Sequence, residues 1–318
     1  YSTGAEAFLL EPQSTNLIPY SEDFSDASWI KGSDISIEGG YLAPDGNNTA
    51  YKLTKTGTGS PILSSSQSLI TTTTRSIYAR TVSGTGKISL LSYFGNSNNL
   101  FDVTEEWQRF EINSANATGV ANFYAADFRN LSTTLSEVII WGANATNDQD
   151  YATSYIPTSG TTVTRNQETC INATPEINSE EGVLYAEIAS LSNQVTSNYI
   201  SLSDGTYNNR ISLMYSVGTN IIRGFLRLGG VSQADLQFAV SDITEFHKVA
   251  FKFSENDFAL WIDGVEVGTD TSGSTIPSGT LTKLAFSEIS TTGGLFRGNT
   301  KDVQVYTKAL SDAELIKL

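Results

Sequence analysis

The sequence predicts an all-β protein built from two antiparallel β-sandwich domains. Its 318 residues are too many for one ordinary sandwich and suit two. The apolar share is 39 % and the charged share 17 %, with 14 Tyr and 15 Phe, a composition typical of half-buried strands joined by polar turns. Short alternating segments separated by turn clusters recur along the chain, and almost none has a helical period.

The first half of the chain contains a series of these strand-like segments. They lie at 76–81, 87–94, 106–112, 120–126 and 137–141. Clusters rich in Gly, Ser and Asn separate them, as at 83–86 and 95–99. Short strands joined by such turns are typical of antiparallel sandwiches.

The pattern resumes in the second half. Its strand-like segments lie at 182–191, 198–204, 210–217, 221–229, 248–254, 258–264 and 302–307. Two alternating runs flank Asp263-Gly264, which is the two-residue signal of a type I′ hairpin. Near the end, Ser311 and Glu314 have the spacing of a capping box and predict one short helix.

The composition changes after Arg165, where alternation fades and Pro175 interrupts the segment. We therefore predict one domain at 1–165, a linker at 166–179 and a second domain at 180–318.

The segment YATSYIPTSG, which precedes this change, is too apolar for a free linker. We expect Tyr151, Tyr155 and Ile156 to lie flat on one of the domains. Pro157 prevents the segment from extending a sheet.

Charge and residue counts exclude several kinds of partner. The net charge is −15, with 16 acidic and 9 basic residues before 166, and 18 acidic and 10 basic residues from there on. The sequence contains no basic stripe for phosphates, so nucleic acid is excluded as a partner. It also lacks a run of about 18 apolar residues, so we expect no membrane insertion. A single cysteine, Cys170, cannot form an internal disulfide, and a single histidine, His247, cannot form a His-based metal cluster.

Because the chain starts at Tyr1 and its single Met is Met214, we expect it to be a piece of a longer protein.

The first domain resembles phage proteins in its terminal segments. AFLLEPQSTNLIPYSEDFSDASWIK (7–31) and IIWGANATNDQDYATSYIPTSGTTVTR (139–165) resemble segments of bacteriophage tail-fibre and other tail proteins, where they bracket a jelly-roll module. Segments 76–88 and 105–112 fit the middle of such modules. More distantly, NLIPYSEDF and the later strands resemble jelly-roll carbohydrate-binding modules.

The second domain resembles the laminin-G-like, concanavalin A-like sandwich. The resemblance lies in EFHKVAFKFSENDFALWIDGVEVGT (245–269) and FRGNTKDVQVYTKALSDAELIKL (296–318). Phe246 replaces the usual Trp, and 299–301 replaces the usual apolar approach to Asp302. The resemblance implies the fold but does not specify the function, because this sandwich hosts lectins, adhesion modules and enzymes.

Glycanases of the concanavalin A-like fold carry carboxylates on alternate residues of one strand, as E-x-D-x-x-E. This sequence contains no such run. Its acidic pairs, Glu105-Glu106 and Glu180-Glu181, point to opposite faces of a strand. His247 occupies a position that the family uses structurally, and no other catalytic motif occurs. The sequence therefore predicts a protein that is not an enzyme.

The resemblance implies glycan binding, which needs exposed aromatic rings and side chains that bond hydroxyls. The candidates in the first domain are Trp29, Tyr41, Tyr93, Asn96 and Asn98. Those in the second are Tyr199, Asp204, Tyr207, Asn209, Arg210, Arg223 and Arg227. Core packing remains the alternative for each aromatic, and it is expected for Trp107, Trp141 and Trp261 inside strands.

The resemblance also implies a structural calcium ion, held by carboxylates and carbonyls. The candidate ligands are Glu22 and Asp23 in the first domain, and Asp263 and Asp302 in the second. Turn formation already accounts for Asp263.

We expect a non-enzymatic portion of a phage tail fibre or similar appendage on the virion surface, which binds cell-surface glycan and other tail subunits. Trimeric assembly would raise the avidity of weak sites. One alternative is a structural virion protein whose sandwiches serve assembly. Another is a set of carbohydrate-binding modules from a larger extracellular bacterial surface protein or glycanase.

Overall fold

The computed structural model describes residues 7–65, 69, 72–92, 99–116, 122–147, 150–193, 198–216, 220–289 and 293–318. The chain divides into two compact units. The inserted unit is Gln13–Asn166, and the C-terminal unit consists of the residues up to Pro12 together with Gln167–Leu318.

The secondary structure of the described residues is almost entirely strand. The first strands are β1 (Phe8–Leu10), β2 (Ser14–Asn16), β3 (Trp29–Lys31), β4 (Ile35–Tyr41), β5 (Ala50–Lys55), β6 (Ile62–Ser65), β7 (Thr72–Arg80), β8 (Gly86–Ser89), β9 (Leu100–Val103), β10 (Gln108–Asn116), β11 (Tyr124–Asp127), β12 (Glu137–Asn147) and β13 (Val163–Arg165). They are followed by β14 (Gly182–Ser190), β15 (Asn198–Ser203), β16 (Arg210–Tyr215), β17 (Ile221–Leu228), β18 (Val231–Ala239), β19 (His247–Ser254), β20 (Asp257–Ile262), β21 (Val265–Asp270), β22 (Lys283–Ala285), β23 (Gly298–Tyr306) and the helix α1 (Asp312–Leu315).

Two five-stranded antiparallel sheets form the sandwich of the inserted unit. Their strand orders are β10-β7-β12-β5-β4 and β3-β6-β11-β8-β9, while β2 and β13 form a separate two-stranded sheet. Successive side chains of a strand point to opposite faces, so alternate apolar residues enter the core. This core includes Leu53, Ile77 and Val138 of the first sheet and Leu63 and Ile88 of the second.

The C-terminal unit is a second antiparallel sandwich. Its sheets have the orders β1-β23-β14-β19-β20-β21 and β18-β17-β16-β15-β22. The core includes Leu184, Phe251 and Leu260 of the six-stranded sheet and Ile211 of the other. At Gly224 a Cβ atom would lie 2.5 Å from the Phe251 side chain, so only glycine permits this packing. The predicted all-β, two-sandwich fold is confirmed.

The N-terminal strand corrects the predicted domain boundary at 1–165. Phe8 pairs with Thr300 and Leu10 with Gly298, so β1 is an edge strand of the C-terminal unit. Leu10 is 2 % exposed and belongs to the core of that unit. Burial of this apolar side chain favours the pairing. The chain therefore enters the inserted unit after it has contributed one strand to the C-terminal unit.

The segment predicted as a linker at 166–179 is also part of the C-terminal unit. Ala173 and Leu284 exchange backbone hydrogen bonds of 3.1 and 2.7 Å, and the carbonyl of Cys170 accepts from Phe286 at 2.7 Å. These bonds satisfy backbone groups that a free linker would leave to water.

Two local predictions are confirmed. Asp263 and Gly264 have φ angles of 52° and 76°, as a type I′ turn between β20 and β21 requires. Ser311 donates its backbone N–H to Glu314 at 2.8 Å at the start of α1. Within the part of the chain that the structure describes, no helix has the length and apolar character needed to cross a bilayer.

Candidate functional site

A cleft of about 310 Å³ opens on the inserted unit. Its lining residues come from the loop after β2, the β4–β5 hairpin and the segment 151–160, which we call the strap. They are Tyr20, Glu22, Asp23, Gly40, Asn48, Thr49, Tyr51, Thr158 and Ser159. Two tyrosine side chains, hydroxyl groups, an amide and two carboxylates therefore share one concavity.

The strap is fixed against the sandwich by Tyr155, as the sequence predicts. The Tyr155 ring packs on Trp141 with centroids 4.8 Å apart. Its hydroxyl lies 2.6 Å from Ser21 Oγ and donates to Glu22 Oε1 at 2.9 Å. Burial, aided by the negative charge of Glu22, raises the pKa of Tyr155, so the hydroxyl stays protonated as a donor.

Backbone contacts complete this wall of the cleft. The Thr158 N–H donates to Ser21 Oγ at 2.8 Å, and Tyr20 forms an isolated bridge with Ser159. The next residue, Gly160, has φ of 104°, a conformation that suits glycine. The predicted role of the strap as a packed segment is confirmed, and it also supplies two lining residues.

Asp23 also lines the cleft and accepts several hydrogen bonds. Its Oδ1 accepts hydrogen bonds from Tyr51 Oη at 2.9 Å and from Ser25 N at 3.0 Å and Oγ at 2.5 Å. Burial alone would raise the pKa of Asp23, but these hydrogen bonds outweigh burial and lower it. The Tyr51 ring packs edge-on against Phe24 at 5.8 Å, which fixes the donor.

The predicted glycan-binding residues of the inserted unit do not line this cleft or fall outside the described residues. The prediction of Trp29 as an exposed binding residue is wrong. Trp29 is 3 % exposed, packs on Phe24 in the core and donates its Nε1–H to the Tyr20 carbonyl at 2.9 Å. Tyr41 is half-buried and donates to Glu38 at 2.9 Å. Tyr93, Asn96 and Asn98 fall outside the described residues.

Predicted residues of the C-terminal unit gather on one face of its five-stranded sheet. Arg210 and Arg227 lie opposite each other on β16 and β17. Arg210 is 3 % exposed, lies 5.3 Å from the Phe225 ring and donates to Glu288 at 2.9 Å. The Tyr199 ring meets Phe225 edge-on at 6.3 Å. Burial lowers the pKa of Arg210, while Glu288 opposes this shift.

The other predicted residues are Asp204, Tyr207 and Asn209 in the loop between β15 and β16, and Arg223 on β17. Asn209 donates Nδ2 to Asp204 at 2.8 Å, and Arg223 donates two hydrogen bonds to Asp235. Tyr207 is 50 % exposed. Most of these polar groups are hydrogen-bonded, and Tyr207 is the most exposed of the predicted aromatics that the structure describes.

The predicted metal ligands occupy three separate places. Glu22 and Asp23 line the cleft. Asp263 lies 2.7 Å from His247 Nδ1 and accepts from Lys248 N at 2.9 Å. The Asp302 carboxylate accepts from the side chain of Gln304. Across the described ranges, no three His, Cys, Asp or Glu side chains come close enough to hold a metal ion. Two of the predicted ligands, Glu22 and Asp23, line the same cleft.

Sequence reasoning missed Tyr20, Asn48, Thr49 and Tyr51 as lining residues. The hairpin that carries Asn48 and Thr49 contains the polar turn PDGNNT, which was an available signal. Nothing in the sequence shows that this turn meets the strap.

Comparisons with known proteins agree with the fold. Residues 175–316 match the family model described as the concanavalin A-like lectin/glucanases superfamily. No curated protein matches the sequence.

Three solved structures illustrate the similarity. The CBM40 of the Ruminococcus gnavus IT-sialidase, bound to α2,3-sialyllactose, is 16 % identical over 47 % of this chain and 97 % of its own, with a TM-score of 0.38. Domain 4 of the arabinanase AbnA from Geobacillus stearothermophilus, in complex with arabinotriose, is 13 % identical over 45 % and 67 %, with a TM-score of 0.35. The SAP-like pentraxin of Limulus polyphemus is 14 % identical over 46 % and 72 %, with a TM-score of 0.34. The family match and the two sheets of the C-terminal unit agree with the predicted concanavalin A-like sandwich.

Proposed function

We propose that this protein binds glycan without cleaving it, and that the cleft of the inserted unit is a binding site. The observation that carries this proposal is the lining of the cleft. Tyr20 and Tyr51 offer aromatic surface for a sugar ring, while Asn48 and Thr49 offer hydrogen bonds to its hydroxyls. The lectin and glucanase family matched by residues 175–316 supports the same class of ligand.

The carboxylates of the cleft suit binding better than catalysis. A retaining or inverting glycosidase needs one protonated carboxyl group as the general acid. The lowered pKa of Asp23 keeps this group ionised near neutral pH, and Glu22 accepts a hydrogen bond from Tyr155. Both are placed to accept hydrogen bonds from sugar hydroxyls.

We further propose that the chain belongs to a phage tail fibre or similar virion appendage that recognises glycan on the host surface. The resemblance of 7–31 and 139–165 to phage tail proteins supports this setting. A single shallow cleft would bind weakly, so a trimer, with its several copies of the cleft, would raise avidity. The same cleft would also serve a carbohydrate-binding module of a larger bacterial surface protein or glycanase. Antibody labelling of virions distinguishes the two settings.

Calcium is proposed as an accessory ligand of the cleft. Glu22 and Asp23 would supply carboxylate oxygens, and hydroxyls, carbonyls or water would complete the six to eight that calcium takes.

A glycan array of the full chain, run with calcium and again with chelator, tests these proposals together with one substitution. Asn48 is exposed and lines the cleft, so Asn48→Trp should fill the cleft and reduce binding at least about tenfold. Leu131→Trp places the same side chain at a fully exposed position outside the lining and should bind as the unaltered chain does. Equal binding by both variants would remove the cleft as the site, and new reducing ends on a bound glycan would contradict the non-enzymatic assignment.

A further inference from the structure

We propose that the calcium-free cleft selects uncharged or amine-bearing sugars and rejects carboxylated ones such as uronic and sialic acids. This inference rests on the proposed glycan binding at the same cleft. It follows from the charge of the lining and from the hydrogen bonds that hold each carboxylate.

Both carboxylates of the cleft are held by neutral donors. Glu22 accepts from the Tyr155 hydroxyl, and Asp23 accepts from Ser25 and from the Tyr51 hydroxyl. Neutral donors fix the position of a carboxylate but bring no positive charge to it. The cleft therefore keeps two formal negative charges on its walls.

Among the residues that the structure describes, no Lys, Arg or His lines the cleft. Lys52, on the β5 strand, pairs with Glu38 at 3.0 Å and lies over the Tyr41 ring at 5.4 Å, outside the lining. Lys31 is exposed and donates to the Ser25 carbonyl at 3.3 Å. Neither lysine lines the cleft, so a ligand carboxylate would find no cation on its walls.

A third carboxylate adds to the negative potential. After burial and the charge of Glu22, the charge of Asp45 also contributes to the raised pKa of Tyr155. Asp45 is exposed and bonds only neutral groups of Asn47 in the described contacts. The negative charge of Asp45 therefore acts on the strap in the same direction as the negative charges of the lining carboxylates.

The ligand charge then decides the sign of the interaction. Like charges a few ångströms apart at a protein surface repel strongly enough to change affinity about tenfold or more. A hydroxyl group donates to either carboxylate at no such cost, and a protonated amine gains charge-assisted hydrogen bonds. A uronate or sialate would bring its carboxylate against fixed negative charge.

Matched ligands test the proposal on the full chain in chelator, which removes calcium from the cleft. The array carries neutral, amine-bearing and carboxylated glycans, and the strongest neutral binder is then compared by titration calorimetry with its C6-oxidised, carboxylated form. We expect the oxidised form to bind about tenfold or more weakly. High salt should reduce the ratio of the dissociation constants of the oxidised and neutral forms, because salt screens charge. A ratio caused by steric mismatch would not change with salt.

Charge-removing variants locate the effect. Glu22→Gln and Asp23→Asn keep the shape of the side chains. They should reduce the ratio of the dissociation constants of the carboxylated and neutral ligands. Asp102→Asn is the matched control, because Asp102 lies on β9, pairs with exposed Lys87 at 2.8 Å and does not line the cleft. It should leave the ratio unchanged.

The outcomes separate this inference from the proposed function. If neither high salt nor the Glu22→Gln and Asp23→Asn variants change the ratio of the two dissociation constants, then shape and not charge sets the selectivity. That result would overturn the inference. Preferred binding of carboxylated glycans in chelator, lost in Asn48→Trp, would overturn it while leaving glycan binding at the cleft intact. Silence toward every glycan from the folded chain would remove the proposed function, and this inference with it.

Discussion

At the scale of single residues, Tyr155 joins the strap to the wall of the cleft. One hydroxyl group contacts both Ser21 and Glu22, and the ring below it packs on Trp141. The Tyr155 side chain therefore fixes both the lining carboxylate of Glu22 and the part of the strap that leads to Thr158 and Ser159.

Tyr155→Phe should destabilise the inserted unit by roughly 1–3 kcal/mol, because buried Ser21 and half-buried Glu22 lose the hydroxyl that they contact. It should also weaken glycan binding, since Glu22 loses its donor. Thermal unfolding and calorimetric titration measure the two effects. Tyr41→Phe is the matched control, because the Tyr41 hydroxyl donates to exposed Glu38. Equal melting temperatures for the two variants would contradict this role of Tyr155.

The contrast between Trp29 and Tyr51 shows why single residues of the site were hard to predict. Both aromatics contact Phe24, but Trp29 lies in the core while Tyr51 lines the cleft. An aromatic residue near a loop has both options in any sequence, and only the packing of the neighbouring segments decides between them.

At the scale of secondary structure, β1 completes the six-stranded sheet through its pairing with β23. Leu10 enters the core, whereas Phe8 on the same strand is 55 % exposed. Leu10→Ala should therefore destabilise the C-terminal unit by about 2–5 kcal/mol, and Phe8→Ala should have a much smaller effect.

Hydrogen exchange read by mass spectrometry resolves the two units in this test. We expect Leu10→Ala to speed exchange in β23 and β14 and to leave the inserted unit unchanged. Unaltered protection of β23 would show that β1 adds little to the sheet.

Long alternating strands could be predicted from the sequence because their signal is local. The segments 182–191 and 248–254 correspond closely to β14 and β19, and the Asp263-Gly264 turn follows from its residue types. The strand β1 has three residues, too few for alternation, and its partner lies at the other end of the chain. The cleft combines the loop after β2, a hairpin and the strap, so no local pattern could assemble it.

At the scale of the whole molecule, the charge of −15 makes acid stability a direct test of the carboxylate environments. Burial would raise the pKa values of Asp23 and Asp204, but hydrogen bonds to each outweigh burial and lower them. A carboxylate whose pKa is lower in the folded state stabilises the fold above its unfolded pKa, and this contribution is lost as pH falls through the folded value. Glu111 acts in the opposite direction, because burial, partly offset by Arg109, raises its pKa.

We therefore expect the melting temperature to fall as pH drops below about 4, where unfolded carboxylates begin to take up protons. A pH series of thermal unfolding measures this, and Asp23→Asn should flatten the fall. A melting temperature that is constant or rises from pH 5 to 3 would contradict the prediction.

The pairing of β1 with β23 also has a consequence for biosynthesis. A ribosome makes Phe8–Leu10 long before it makes Gly298–Tyr306, so the nascent chain carries an apolar strand that has nowhere to dock. Meanwhile Gln13–Asn166 has a closed core of its own and can fold as soon as it has emerged. The strand β1 is thus translated before the inserted unit and docks after it, and a chaperone that shields it during elongation would raise the yield of correctly closed molecules.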